Sequence, residues 1–308
     1  APPFPLLLAQ GAFERAFRAA QQEYDQQHHG QRRQYGSNQQ QGLDVHADSL
    51  AGWVAGSETG IPMNCQILPK DKSGIDTRVD SMQIEDFASL IPERLFGESG
   101  KVFYSGRTAF SKAAPIYLLG VNPGGDPSSE SSTVGSHTSQ VLHHLPDNWS
   151  AYRDESWRGK EPGSRGMAPR VLHVLRQLDL NPGIVPASNL VFVRSRREGD
   201  ISPNRMRELA DECWPFHHRV IQFLRPKVIL CFGSTAGKYV RMRLGATKLA
   251  SILVERNNRK WRSQTFTTPD GTNVVSATHP SIADWCSSAA DITSLVQQAL
   301  LESQAENS

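Results

Sequence analysis

Between residue 112 and the C-terminal end, short apolar runs alternate with longer amphipathic ones, and that alternation leaves few folds open. Four runs read as buried strands: 116–120, 189–195, 227–233 and 273–278. Helical spacing recurs between them, over 168–179 (Val171, Leu172, Leu175, Leu178), 204–224 (Met206, Leu209, Cys213, Phe216), 235–244 and 288–302. Strands that are apolar on both faces need cover above and below, and helical crossovers make neighbouring strands parallel. The expectation is an α/β fold, a three-layer α/β/α sandwich around a central four-stranded, mainly parallel sheet. The stretch 248–268, with Val254 and Phe266 on either side of Asn257-Asn258, reads as an inserted hairpin.

Residues 1–105 have a different texture and read as an N-terminal helical extension, with a second domain over 106–308. Residues 12–26 place Phe13, Phe17 and Ala20 at helical spacing. Gln26 to Gly42 is rich in Gln, His and Gly, with little to bury, and reads as a linker. A second helix is expected from Ile84 to Phe96, with Phe87, Leu90 and Ile91 inward. The Pro5-Leu6-Leu7-Leu8 stretch lacks the basic flank and the length of a secretion signal.

The formal charge of +2 does not announce a polyanionic partner. Its distribution says more. Lys238, Arg241, Arg243, Lys248, Arg256, Arg259, Lys260 and Arg262 are opposed only by Glu255, and Arg194, Arg196 and Arg197 follow the second strand. Each cluster alone reads equally as a solvated face; two clusters beside strand-end loops suit phosphates. The four cysteines (Cys65, Cys213, Cys231, Cys286) contain no CxxC pair, so no metal or iron–sulfur site is expected. Cys231, inside an apolar strand, reads as core. A reducing, cytoplasmic compartment fits this usage, and no apolar run is long enough to span a membrane.

Two strand-end loops carry the chemistry. Gly120-Val121-Asn122-Pro123-Gly124 follows the first strand, and His279-Pro280-Ser281 follows the fourth. In open α/β sheets, ligands bind at the carboxyl ends of strands. Either motif alone has an ordinary explanation, as a common turn or as an extended surface histidine before proline. Gly233-Ser234-Thr235-Ala236-Gly237-Lys238 is one residue short of a phosphate loop, with Tyr239 where a magnesium ligand should stand. There Gly233 is expected to end a strand and Ser234 or Thr235 to cap the next helix, whose N-terminus suits a phosphate.

Taken together, the GxNPG loop, Asn189-Leu190-Val191-Phe192-Val193, Pro226 to Gly233, and His279-Pro280-Ser281 resemble the uracil-DNA glycosylase superfamily over roughly 112–302. Asn in the first motif with His in the second is most similar to its single-strand-selective type; the mismatch-specific type usually has Asn in place of that His. The iron–sulfur types are not supported, since their cysteine pattern is absent. The resemblance implies that His279 donates a hydrogen bond to the departing base. It implies that Asn122 orients the attacking water, with Gly120, Val121, Pro123 and Gly124 shaping the pocket. It assigns base reading to Asn189, whose amide can both donate and accept; Asn189 otherwise simply begins a strand. Asp200 is a further pocket candidate. Ser281, Ile282, Arg194, Arg197 and Lys238 are the DNA-contacting candidates.

The sequence also departs from that pattern. Ile282-Ala283-Asp284-Trp285 stands where the family places its wedge, leaving Ile282 or Trp285 for that role and an aspartate close to phosphates. The Ser-rich segment from Gly125 to His137 lacks the usual stacking aromatic, which leaves Trp149, Tyr152 and Trp157 as candidates. The expected activity is a monomeric, cofactor-free, monofunctional DNA glycosylase. It would hydrolyse the N-glycosidic bond of an extruded uracil or modified pyrimidine, since neither motif offers a Schiff-base lysine. Alternatives are excision of a hypermodified cytosine from phage DNA as antiviral defence, a non-catalytic DNA-binding member, and a small-molecule nucleoside hydrolase.

Overall fold

The sheet forms where the apolar runs meet. Ile116–Gly120 (β1) and Val228–Phe232 (β3) are buried at every position, and Asn273–Ala277 (β6) at all but one. The computed structural model describes residues 82–128, 132–157 and 159–305. The expectations for 12–26, for the Gln-rich linker and for Cys65 lie outside the described residues.

The strand order is β2-β1-β3-β6-β5-β4, with Ala187–Asn189 as β2, Lys248–Val254 as β4 and Arg262–Thr267 as β5. β2, β1, β3 and β6 run parallel; β5 and β4 add antiparallel. The expected four-stranded sheet is thus corrected to a six-stranded mixed one, because the 248–268 hairpin pairs with β6 instead of standing apart. Alternation along the strands divides two cores. Tyr117, Leu119, Ile229, Cys231 and Val274 pack into one; Ile116, Leu118, Leu230, Phe232 and Val275 pack into the other.

Helices cover both faces. Pro203–Leu224 (α5) buries Met206, Leu209, Cys213, Phe216 and Val220 on the first face, where Ser234–Leu244 (α6) adds Ala236 and Val240. Ala168–Gln177 (α4) and Thr293–Ala305 (α7) cover the other, with Val171, Val174, Leu295 and Val296 inward. α7 begins five residues later than its periodicity suggests because the Asp291 carboxylate accepts from the Thr293 N–H at 2.8 Å and its hydroxyl at 2.6 Å, a side-chain cap.

Three expectations change for local reasons. The helix expected from Ile84 to Phe96 is a short α1 (Ile84–Ala88) followed by a 3₁₀ turn at Glu93–Leu95, since Pro92 lacks the N–H and disfavours helical backbone at Ile91. The domain boundary expected at 105 falls inside the first core: Phe87, Leu95, Phe103 and Phe110 are fully buried, and Phe87 meets Phe216 at 6.4 Å. The strand expected over 189–195 ends at Asn189, because the next residues leave the ladder to hold the loop after β1. The Ser-rich segment delivers a helix the pattern did not show, Val134–His143 (α2). It starts at a capping box in which the Ser136 N–H donates to Thr133 Oγ1 at 3.1 Å and the Thr133 N–H to Ser136 Oγ at 2.8 Å. A single turn, Ala151–Asp154 (α3), follows.

Candidate active site

Gly120 ends β1 paired with Asn189 at the end of β2, so the parallel register brings the two residues side by side at the carboxyl edge. A Cβ at Gly120 would lie 2.1 Å from Asn189 Oδ1, so the absence of a side chain there is what lets the Asn189 amide lie across β1. Asn189 is 6 % exposed, and its Nδ2 is buried with no hydrogen-bond partner. Leaving a buried donor unpaired costs about 1–3 kcal/mol, which a ligand acceptor would recover. Asn189 therefore ends its strand instead of beginning it.

The loop after β1 is held by the segment that leaves β2. The Leu190, Val191 and Ser195 N–H groups donate to the carbonyls of Gly120, Val121 and Pro123 at 2.9, 2.9 and 3.1 Å. Arg194 Nη1 donates to the Gly124 carbonyl at 2.6 Å. Inside this frame the half-buried Asn122 points Nδ2 at three acceptors: Ser195 Oγ at 2.8 Å, Pro123 O at 3.2 Å and Val193 O at 3.4 Å. Ser195 Oγ gives its own proton to the Arg197 carbonyl at 2.7 Å, so it must accept from Asn122. That fixes the amide's orientation and turns Oδ1 away from the frame as an acceptor.

His279 follows β6, and Gly233 at the end of β3 faces it: a Cβ there would sit 3.5 Å from the imidazole Cδ2, on a backbone with φ of 95°. The Ser281 N–H donates to His279 Nδ1 at 3.1 Å, with Ser281 Oγ 2.7 Å from the same atom. A backbone N–H can only donate, so Nδ1 is an acceptor and the neutral ring carries its proton on Nε2. Burial lowers the His279 pKa from its ordinary value, and nearby Glu198 pulls the other way. Glu198 accepts from the Thr235 hydroxyl at the start of α6. The arrangement is a neutral N–H donor two strands from an amide oxygen, roughly 10 Å across at the strand ends.

Several expected roles are corrected. Arg194 is 5 % exposed, and its guanidinium is spent on Gly124 O, Ser99 Oγ and Ser132 Oγ, so it shapes the loop and is not available to a phosphate. Arg196 pairs with Asp126, whose carboxyl this guanidinium holds down at about 2. Asp200 is exposed, and its carboxylate is spent on capping the Glu198–Asp200 turn by accepting from the Arg197 N–H at 3.0 Å. Arg197 is exposed beside it, and Lys238 sits in the second turn of α6. Gly233 is the N-cap of α6, so neither Ser234 nor Thr235 caps it. Trp285 is fully buried, donates Nε1–H to the Thr278 carbonyl at 3.1 Å and meets Phe232 edge-on, so it is core and not a wedge. Trp149 and Tyr152 are also buried, whereas Trp157 and Ile282 are more than half exposed. Asp284 lies 3.4 Å from Arg170 Nε, which offsets its charge.

Sequence reasoning missed Glu198, in a 3₁₀ turn, and Arg170, on the α4 helix, at this edge, and took Arg259 only as one member of a basic cluster. Compared with protein-family models and with curated proteins, the chain matches none.

Proposed function

We propose that this strand-end arc is the active site of a monofunctional DNA glycosylase acting on an extruded uracil or modified pyrimidine. The observation that carries the reading is the fixed tautomer of His279, a neutral Nε2–H donor in the same arc as two oriented asparagine amides. Cleavage of the C1′–N1 bond leaves the bonding electrons on the base and positive charge on the sugar. The Nε2–H donor offsets the charge growing on the pyrimidine oxygen, and such a preorganised donor is worth roughly 2.7–4 kcal/mol. Water held at Asn122 Oδ1 adds to C1′ and loses its proton, and the departing base takes up one. Asn122 cannot take that proton as a carboxylate would, forgoing some of the roughly 10²–10⁴-fold a general base supplies. Asn189, with its unpartnered buried Nδ2, reads the base edge. Ser281 lies at the neighbouring phosphate, and the exposed Ile282 fills the space the base vacates.

Duplex and single-stranded oligonucleotides with one deoxyuridine, treated with alkali after incubation, test the reading. Strand breaks at that position from the wild-type protein, lost in Asn122→Ala and His279→Ala, are expected. Breaks of equal yield from His279→Ala would refute the role assigned to the imidazole.

A further inference from the structure

The loop that carries Ser281 and Ile282 is gripped from outside. Arg259, in the β4–β5 turn, donates Nη1–H to the Ile282 carbonyl at 2.5 Å. Its Nη2 lies 3.1 Å from Glu255 Oε2, and its guanidinium packs 4.4 Å over the Trp261 ring. Glu255 is only 4 % exposed and also accepts from Asn257 Nδ2 at 2.7 Å, while Asn257 Oδ1 accepts from the Arg259 N–H at 3.0 Å. The guanidinium is thus oriented by a carboxylate, a ring and a turn before it reaches the loop. On either side of the Ile282 carbonyl along the chain, the Ile282 and Ala283 N–H groups both donate to the His279 carbonyl at 3.0 Å. Arg170 of α4 donates to the Pro280 carbonyl.

The backbone of Ile282 is therefore fixed at both its N–H and its C=O, while its side chain stands 54 % exposed. Loop carbonyls at a surface ordinarily face water, and an aliphatic side chain held out into solvent gains nothing by itself. We propose that the β4–β5 hairpin is a brace for duplex engagement, with Arg259 as the positioning residue that sets Ile282 against the hole left by an extruded nucleotide. Glu255 acts through Arg259 by holding its guanidinium. The proposal rests on the glycosylase reading and adds a substrate distinction to it: the brace matters for duplex DNA, where a stacked neighbour leaves a hole to fill. It does not matter for a single strand.

Single-turnover base release from matched duplex and single-stranded substrates is the test, using the full chain and the Arg259→Gln, Glu255→Gln and Ile282→Ala variants. Arg259→Gln is expected to slow release from the duplex about tenfold, because a small misplacement of a positioned group is costly. Release from the single strand should stay within about twofold of wild type. Ile282→Ala should reproduce the duplex defect, and the double variant should be no slower on duplex than either single change, since both remove one interaction. Equal slowing on both substrates, or additive defects, would overturn the proposal; the latter would mean that the guanidinium meets DNA directly. Hydrogen exchange provides a readout without substrate. The Ile282 and Ala283 amides should exchange faster in Arg259→Gln, and unchanged exchange also overturns the brace. A wild-type protein that releases no base, yet shows the exchange effect, would instead remove the glycosylase reading and leave the brace in place.

Discussion

His279 and Asn122 are each held by one side of their polar group, so that the other side faces outward. For His279 the held side is Nδ1, and protonation there would set a new N–H against the Ser281 N–H. Burial and this clash both keep the ring neutral, so base release should be flat above pH 6.5 and fall only as pH drops below it. A pH–rate profile checks this; activity that rises on acidification would contradict it. For Asn122 the held side is Nδ2, and Asn122→Asp would turn a carboxylate toward the carbonyls of Pro123 and Val193. That variant should lose stability and gain no rate, measured by melting temperature and single-turnover release, even though aspartate is the stronger base. Among the described residues, His137 and His217 are buried. His217 accepts from Tyr117 and donates to the Leu190 carbonyl, and burial pushes it down to about 4. His137, its ring nitrogens without hydrogen-bond partners, is pushed down to about 3 by burial and by the Lys101 and Arg194 charges. Both are uncharged in the native state and take up a proton on unfolding below about pH 6.5. Stability should therefore fall by about 2–3 kcal/mol for each between pH 6.5 and 4.5. Denaturant titrations at the two pH values measure it, and a flat stability would count against the burial of both rings.

At the scale of elements, Gly120→Ala separates fold from function. The added Cβ meets the end of the Asn189 side chain, which can swing away, so the sheet should survive and base discrimination should fail as in Asn189→Ala. A comparison of uracil and thymine release against melting temperature reads both. Thr133→Ala removes half of the α2 capping box and should cost about 1 kcal/mol in a melt. β1, β3 and β6 were legible because each is a short apolar run bounded by turn residues, whereas β2 is Ala-Ser-Asn and the apolar run after it leaves the ladder. The loops that follow β1 and β6 were legible because Asn-Pro-Gly and His-Pro-Ser stand directly after such runs. α2 was not legible, since its Ser, Thr and His residues look like a loop until the Thr133–Ser136 cap is seen. Arg194 was misread because a sequence does not distinguish a guanidinium buried on a loop carbonyl from one in solvent. The hairpin was foreseen, but its docking on β6 depends on a long-range pairing that no local pattern encodes.

For the molecule as a whole, the parallel half of the sheet gathers Asn122, Asn189, Gly233 and His279 at one edge, and the antiparallel half brings Arg259 to the flank of the same edge. The positive charge near that edge is less free than the residue count suggests, because Arg170, Arg194, Arg196 and Arg259 are bonded to loop carbonyls or carboxylates. Binding to DNA should accordingly fall with salt by a modest slope, on the order of two to four phosphates, in a titration at several salt concentrations. Whether this edge breaks a base–sugar bond in DNA is read by mass spectrometry of the free base released from DNA containing deoxyuridine, thymine mismatches, or hydroxymethylated or glucosylated cytosine. A single pyrimidine released by the wild-type protein and by neither Asn122→Ala nor His279→Ala is the predicted result. Tight binding to the same DNA with no base released from any substrate would contradict it.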